Sequence, residues 1–341
     1  MNIKKILKYL LFIPLVMICI NISKLGSRRV KRTGSIITHV KGEMKKMSSN
    51  LLNFMNTVQK DKTEKEKAAL LESEDTFRIM SFNIRLKDKK DEKEISWAAR
   101  KESVASMIRF HHMDIIGIQE PLKQQLKDLN KILPEYEYFG LGLENGKDKG
   151  PTNAIFYRKS RFEVMDENIF YLSPTPDKPS KGWDAMFHRG VSWVKLRDKK
   201  THKIFYFFNT HFDYHSQWAR DESAYLIREK IDEIVGKNPF ILTGDFNLFP
   251  ELEGEETYNI LIGQNKVDGK ILHDAQYKAA FPHHGPTGTW SGFKEAGQPG
   301  IKPDYIFVDD SVKVVSHGVL ADNFDGKFPS DHLPVVSEIK L

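Results

Sequence analysis

The run Ile241-Leu-Thr-Gly-Asp-Phe-Asn-Leu-Phe249 sets an acid and an amide two residues apart, just beyond an apolar, β-branched stretch. Phe240 to Thr243 reads as a buried strand. Gly244 reads as the point where the backbone turns tightly. Asp245 and Asn247 then have side chains able to point the same way. A carboxylate beside an amide at a strand's carboxyl end can orient a water or hold an oxyanion. Taken alone, the tripeptide is more simply an Asx turn closing a strand.

Other polar residues fall in equivalent places. Asn83 ends the alternating run Phe77 to Arg85. Glu120 follows the apolar stretch Met113 to Gln119 and precedes Pro121, read as the start of a helix. An idle charge is costly there, and a hard cation such as Mg²⁺ takes one or two such carboxylates. The plainer account is a helix N-terminal region, where the dipole favours Glu. His211 closes Lys203 to Phe212, Asp304 heads the strand-like Pro303 to Val308, and Asp331 and His332 precede the last strand, Val335 to Ile339. In a sandwich of two sheets these ends can converge on one rim. Acids for a divalent cation, with two histidines and two asparagines for charge stabilisation, are equipment for phosphoryl-ester hydrolysis. The chain has no G-x-x-x-x-G-K-[ST] loop, no G-x-S-x-G elbow and no H-E-x-x-H.

The elements that must position these groups alternate along the chain. Ser96 is read as the cap of a helix from Trp97 to about His112, with Ala98, Val104, Ala105 and Ile108 inward. A second helix covers Leu122 to Leu133, and Ser216 to Val235 is a long amphipathic one. Strand-like pieces fall at Tyr136–Gly140, Thr152–Tyr157, Phe162–Leu172 and Phe187–Leu196, the last carrying Arg189. Ser173 to Gly182 is a proline-rich loop of the kind that forms binding rims. Gly285 to Phe293 is glycine-rich and carries Trp290.

The chain has 341 residues, 40% hydrophobic and 29% charged, which suits a globular protein with a substantial core. Its single cysteine, Cys19, excludes an internal disulfide and a thiolate metal cluster. The net charge of +6 is unevenly spread. Residues 1–74 hold 15 basic and 6 acidic residues, whereas 75–341 hold 37 and 40, a net −3 that argues against a protein gripping long nucleic acid. Residues 1–27 have a basic start and an apolar core from Leu10 to Ile20, the layout of a signal peptide or an uncleaved N-terminal membrane anchor. Residues 28–74 read as a basic, charged linker with a marginal helix. The chain is therefore expected to be membrane-anchored or secreted.

The ordered set Phe82-Asn-Ile-Arg85, Ile116-Gly-Ile-Gln-Glu120, Asn209-Thr-His-Phe-Asp213, Thr243-Gly-Asp-Phe-Asn247, Asp304-Tyr-Ile-Phe307 and Ser330-Asp-His-Leu-Pro334 resembles the endonuclease/exonuclease/phosphatase superfamily, with its DNase I-like fold. The Gly285–Phe293 loop and the Trp97…Arg100 helix look like a bacterial-type subgroup of uncertain substrate. The resemblance covers residues 75–341 and implies an α/β fold, a four-layer sandwich of two packed mixed β-sheets flanked by helices. It implies Mg²⁺ or Mn²⁺ at Glu120 with Asn83 and Asp331 close by. His332, oriented by Asp304, is implied at the scissile phosphate, Asp245 at the attacking water, and Asn247 and His211 at the developing charge. Arg189, Arg85 and Trp290 are the implied substrate contacts. Tyr214, where many relatives have His, and Pro303 before Asp304 depart from the pattern and are expected to alter the rim of the pocket. The implied activity is a metal-dependent phosphoesterase, and the chain is expected to be a monomer. Its substrate is a phosphate ester: DNA or RNA, or a phosphoinositide or sphingomyelin head group. A membrane-tethered binding scaffold without catalysis is the reading from another class.

Overall fold

The computed structural model describes residues 63–248, 256–264, 269–294, 296–298 and 300–341, with a few positions scattered between 45 and 60. The signal or anchor expected at 1–27 lies outside the described residues. Among the described residues no helix is long and apolar enough to cross a membrane. The chain divides between Glu72 and Ser73 into two units. In the first, residues 63–71 are helical.

The second unit runs, in chain order, β1 (Phe77–Asn83), α1 (Trp97–Phe110), β2 (Ile115–Gln119), α2 (Lys123–Ile132), β3 (Tyr136–Phe139), β4 (Asn153–Arg158), β5 (Phe162–Tyr171), β6 (Gly190–Asp198), β7 (Ile204–His211), α3 (Gln217–Val235), β8 (Phe240–Asp245), α4 (Glu256–Leu261), β9 (His273–Asp274), α5 (Ala275–Lys278), β10 (Asp304–Val308), β11 (Lys313–Val319) and β12 (Val335–Lys340). Two six-stranded sheets result, ordered β11-β12-β1-β2-β4-β3 and β5-β6-β7-β8-β10-β9.

Alternation along the strands explains the layering. Neighbouring residues split between two apolar clusters, Ile79 from Met80, Ile115 from Ile116, Phe207 from Phe208, Ile241 from Leu242 and Ile306 from Phe307. The first of each pair fills the space between the sheets. The second packs under α1 and α2 on one side or under α3 and α4 on the other. Strands apolar on both faces must be covered on both, and the four-layer sandwich follows.

The sheets approach closely beside the polar end. A Cβ on Gly117 of β2 would meet the Thr243 Oγ1 of β8 at 2.0 Å. A buried polar bridge joins the sheets there. Gln119 Nε2 donates to Asn209 Oδ1 at 2.6 Å, and Asn209 Nδ2 donates to the carbonyls of Ile118 and Ala154 at 2.9 and 2.8 Å.

Each sheet contains one parallel pair, β1–β2 and β7–β8, with a helix in the crossover. Their carboxyl ends deliver Asn83 and Glu120 from one sheet, His211 and Asp245 from the other. β10 runs antiparallel to β8 with Asp304 opposite Asp245. β12 runs antiparallel to β1 with Val335 opposite Ser81, which brings the preceding Asp331 and His332 to the same edge.

Several local expectations are corrected. Gly244 does not turn the chain. It lies within β8, where a Cβ would meet Thr210 at 2.7 Å, and the left-handed residue is Asn247 (φ 49°). The Ser96 hydroxyl does not cap α1 but donates to the Lys93 carbonyl, because the preceding residues form a short 3₁₀ turn that offers it. Ala98 is exposed, and Trp97 and Arg100 take the inward positions. Arg189 precedes β6 rather than lying in it. Pro121 precedes α2, whose N-cap is Leu122.

Candidate active site

Asp245 sits at the centre of the polar edge, almost fully buried. Its Oδ2 accepts from Asn83 Nδ2 at 2.9 Å and lies 3.4 Å from His211 Nε2 and 3.7 Å from His332 Nε2. Its Oδ1 accepts from the Asn247 backbone N–H at 3.0 Å. The Asx turn and the site are therefore one structure: the turn's acceptor is the carboxylate that faces the cleft. Burial, with the negative charge of Asp304 nearby, pushes the Asp245 carboxyl up to about 7.

Asp304 accepts from His332 Nδ1 at 2.8 Å and from Thr289 Oγ1 at 2.6 Å. Burial opposes charge on His332, but Asp304 and then Asp245 outweigh it and hold the imidazole well above its usual value. His332 is thus a cation with Nε2 toward Asp245. His211 goes the other way. Its burial, reinforced by Arg189 and His332, holds it well below the usual value, so it is neutral. Asn247 Nδ2 lies 3.1 Å from His211 Nε2 and donates to the Phe212 carbonyl at 3.0 Å. Opposed environments thus give two histidines opposite charge states.

Glu120 has φ 73°, an uncommon conformation for a residue with a side chain. Its Oε1 accepts from Asn83 Nδ2 at 3.1 Å and its Oε2 from the Leu86 N–H at 2.9 Å. The amide of Asn83 therefore joins carboxylates from both sheets. Asp331 accepts from Arg85 Nη1 at 3.0 Å. Arg85, also left-handed (φ 56°), is held by Asp91 at 2.8 Å and has its charge reinforced by that bond.

A cleft of about 990 Å³ opens over these groups, with Glu120, Asp245, Asp331, His211, His332, Asn247, Arg85, Arg189 and Trp290 in its wall. Asn83 and Asp304 lie beneath. Trp290 stands edge-on to His332, ring centroids 5.0 Å apart. Arg189 lies 3.6 Å from Asp213, and its buried Nε has no hydrogen-bond partner among the described residues. All eleven residues singled out in the sequence thus meet at one end of the sandwich. Tyr214 and Pro303 also line the cleft.

The donor set fits a hard divalent cation. Glu120, Asp245 and Asp331 bring carboxylate oxygens to one wall, with Arg85 the cation paired to Asp331. Asp245, Asp304 and His332 also come close enough to share an ion. In that trio Asp304 Oδ2 and His332 Nδ1 are already bonded to each other, as the two oxygens of Glu120 are to Asn83 Nδ2 and the Leu86 N–H.

Sequence reasoning passed over the residues that hold this set in place. Thr289 orients Asp304, and Asp91 fixes Arg85. Asp213 accepts from the Met186, His215 and Ser216 N–H groups at 3.0, 3.0 and 3.1 Å. Arg100 is buried beneath the site and donates to the carbonyls of Ile84 and Pro329 at 2.8 and 2.7 Å. Phe293 is sandwiched near the guanidinium groups of Arg85 and Arg100, at 5.8 and 5.3 Å. Only Arg100 left a signal, as a charge at a helical position whose neighbours are apolar.

Residues 80–332 match the endonuclease/exonuclease/phosphatase family. The chain belongs to that family. An endonuclease/exonuclease/phosphatase family protein from Bacteroides thetaiotaomicron is 37% identical, with a TM-score of 0.71, over 77% of this chain and 97% of that one. A mannosyl-6-phosphatase from the same organism is 36% identical, with a TM-score of 0.71, over 78% of this chain and 100% of its own. A protein of Acanthamoeba polyphaga mimivirus is 32% identical over 159 residues, 44% of this chain, and the match spans 59% of the viral protein's length. The family member described here has the DNase I-like fold and is a hydrolase acting on ester bonds.

Proposed function

We propose that this enzyme is a Mg²⁺- or Mn²⁺-dependent phosphomonoesterase that releases phosphate from a phosphorylated sugar. The observation that carries the chemistry is Asp245, a buried, high-pKa carboxylate facing the cleft between a neutral and a charged histidine. A base whose pKa lies near neutrality suits proton removal from water. Asp245 accepts a proton from the water, whose oxygen attacks phosphorus as the bond to the sugar oxygen breaks. Charged His332, fixed by Asp304, gives its Nε2 proton to that leaving oxygen. Asn247 and His211 bind the equatorial charge as it grows, and the positive charges of Arg189 and Arg85 in the cleft wall draw the phosphate in. Glu120, with Asn83 and Asp331 near, would hold the divalent cation, which would supply Lewis-acid neutralisation of phosphoryl charge.

Support for the sugar phosphate comes from the 36%-identical mannosyl-6-phosphatase, matched over its whole length. The net −3 of residues 75–341 speaks against a nucleic-acid substrate, because phosphate contacts need a positive field. Export or anchoring through residues 1–27 belongs to the same reading. Phosphate release from mannose 6-phosphate, compared with plasmid, short RNA, a phosphoinositide and sphingomyelin, tests it with and without chelator. The expected result is metal-dependent release from the sugar phosphate that Glu120→Ala lowers at least about a hundredfold. Turnover of nucleic acid or lipid alone would overturn the sugar assignment.

A further inference from the structure

The cleft is much larger than a phosphate, and its chemistry changes along its length. Beyond the catalytic groups its wall carries Met186, Phe187 and Tyr214, with Glu144 and Lys181. Phe187 and Tyr214 are each 53% exposed, and their ring centroids lie 6.3 Å apart at 36°. Apolar side chains this exposed at a cleft mouth mark a contact surface rather than a core.

The two rings are also rigidly supported. Asp213, 1% exposed, accepts from the Met186 N–H on one segment and from the His215 and Ser216 N–H groups on the other. Ser216 Oγ donates to the Trp183 carbonyl at 3.0 Å, and Tyr214 Oη approaches Met186 Sδ at 2.9 Å. Trp183 and Asp184 adopt φ 55° and 61°, two consecutive strained residues in the segment leading to Phe187. Arg189 ties this support to the phosphate end: its guanidinium sits 5.8 Å from the Phe187 ring centroid and its Nε 3.6 Å from Asp213.

We infer that Phe187 and Tyr214 form a stacking platform for the pyranose ring of the substrate, beside the phosphate held at Arg189. The inference rests on the phosphomonoesterase reading above and adds how the leaving group is recognised. A pyranose has an apolar C–H face and a hydroxylated edge. The rings take the face, and Glu144 accepts from hydroxyls.

The test compares mannose 6-phosphate with glycerol 3-phosphate, which has the same ester but no ring. In Phe187→Ala and in Tyr214→Ala the preference for the sugar, as a ratio of kcat/KM values, falls about tenfold, mostly through KM. Phe187→Tyr, which keeps an aromatic face, retains the preference. An unchanged ratio, or an equal loss on both substrates, overturns the platform. Wild-type turnover of glycerol 3-phosphate without turnover of the sugar overturns the platform and leaves the phosphoesterase standing. Metal-dependent release from neither overturns both.

Discussion

Asp245, Asp304 and His332 are three ionisable groups within bonding reach, all in a space that disfavours charge. Two are negative when ionised and one positive, so the trio lacks a full set of counter-charges, and the proton stays longest on the carboxylate without a close bonded cation. Asp304 has His332 at 2.8 Å, whereas Asp245 has it at 3.7 Å. This ordering makes Asp304 the partner and Asp245 the base. Replacing Asp304 by Asn frees the imidazole to lose its charge, and kcat should fall by about 10² to 10⁴ with KM little changed, read by steady-state kinetics. The same accounting predicts a stability signature. Asp245 titrates from 3.8 in a model peptide to about 7 in the fold. Between these values the folded chain holds more protons than the unfolded one, so this group makes stability fall as pH rises from about 4 to 7. In chelated enzyme, the slope of Tm against pH in that window should be more positive in Asp245→Asn than in the wild type, and identical slopes would refute the assignment.

The loop Gly285–Phe293 does the work of an element without being one. Thr289 bonds Asp304, Trp290 abuts His332 and Phe293 meets Arg85 and Arg100. Thr289→Val removes the second donor to Asp304, and kcat should drop about tenfold, the ratio expected for about 1.4 kcal/mol, read by steady-state kinetics. Arg100→Met leaves the carbonyls of Ile84 and Pro329 without their donor in a buried place, at a cost of about 2 kcal/mol or more, measurable by urea denaturation. The longer strands and helices were legible because alternating or 3.6-residue patterns mark them directly. The convergence of Asn83, Glu120, Asp245 and His332 was legible because each sits where a strand stops or is about to start. What the chain does not display is who bonds whom across long separations. Asp91 lies in a charged stretch, Asp213 just past a strand and Thr289 in a loop, and nothing local marks any of them as a partner. The short α4, β9 and α5 carry too few turns or alternations to register a period. Gly244 was misread for the same reason: a glycine that a neighbouring Thr210 crowds looks, in one dimension, like a glycine that turns.

Across the whole unit, the three apolar layers and both sheets lie within Ser73–Leu341. That segment alone should fold and keep its kcat/KM on a soluble ester, with a Tm close to that of the full chain. Narrow spacing between the sheets should be as important as their content. Gly117→Ala thrusts a methyl group into Thr243 and Asn209, and the resulting strain of about 1–3 kcal/mol or more should lower Tm by several degrees. The pairing of β1 with β12 has another outcome. Phe77 faces Ile339, about 260 residues further along, and β1 cannot gain that neighbour until nearly all the intervening chain is available. Closing so long a loop is slow, and a waiting strand edge is sticky. A nascent copy therefore spends its synthesis with an incomplete sheet, open to chaperones.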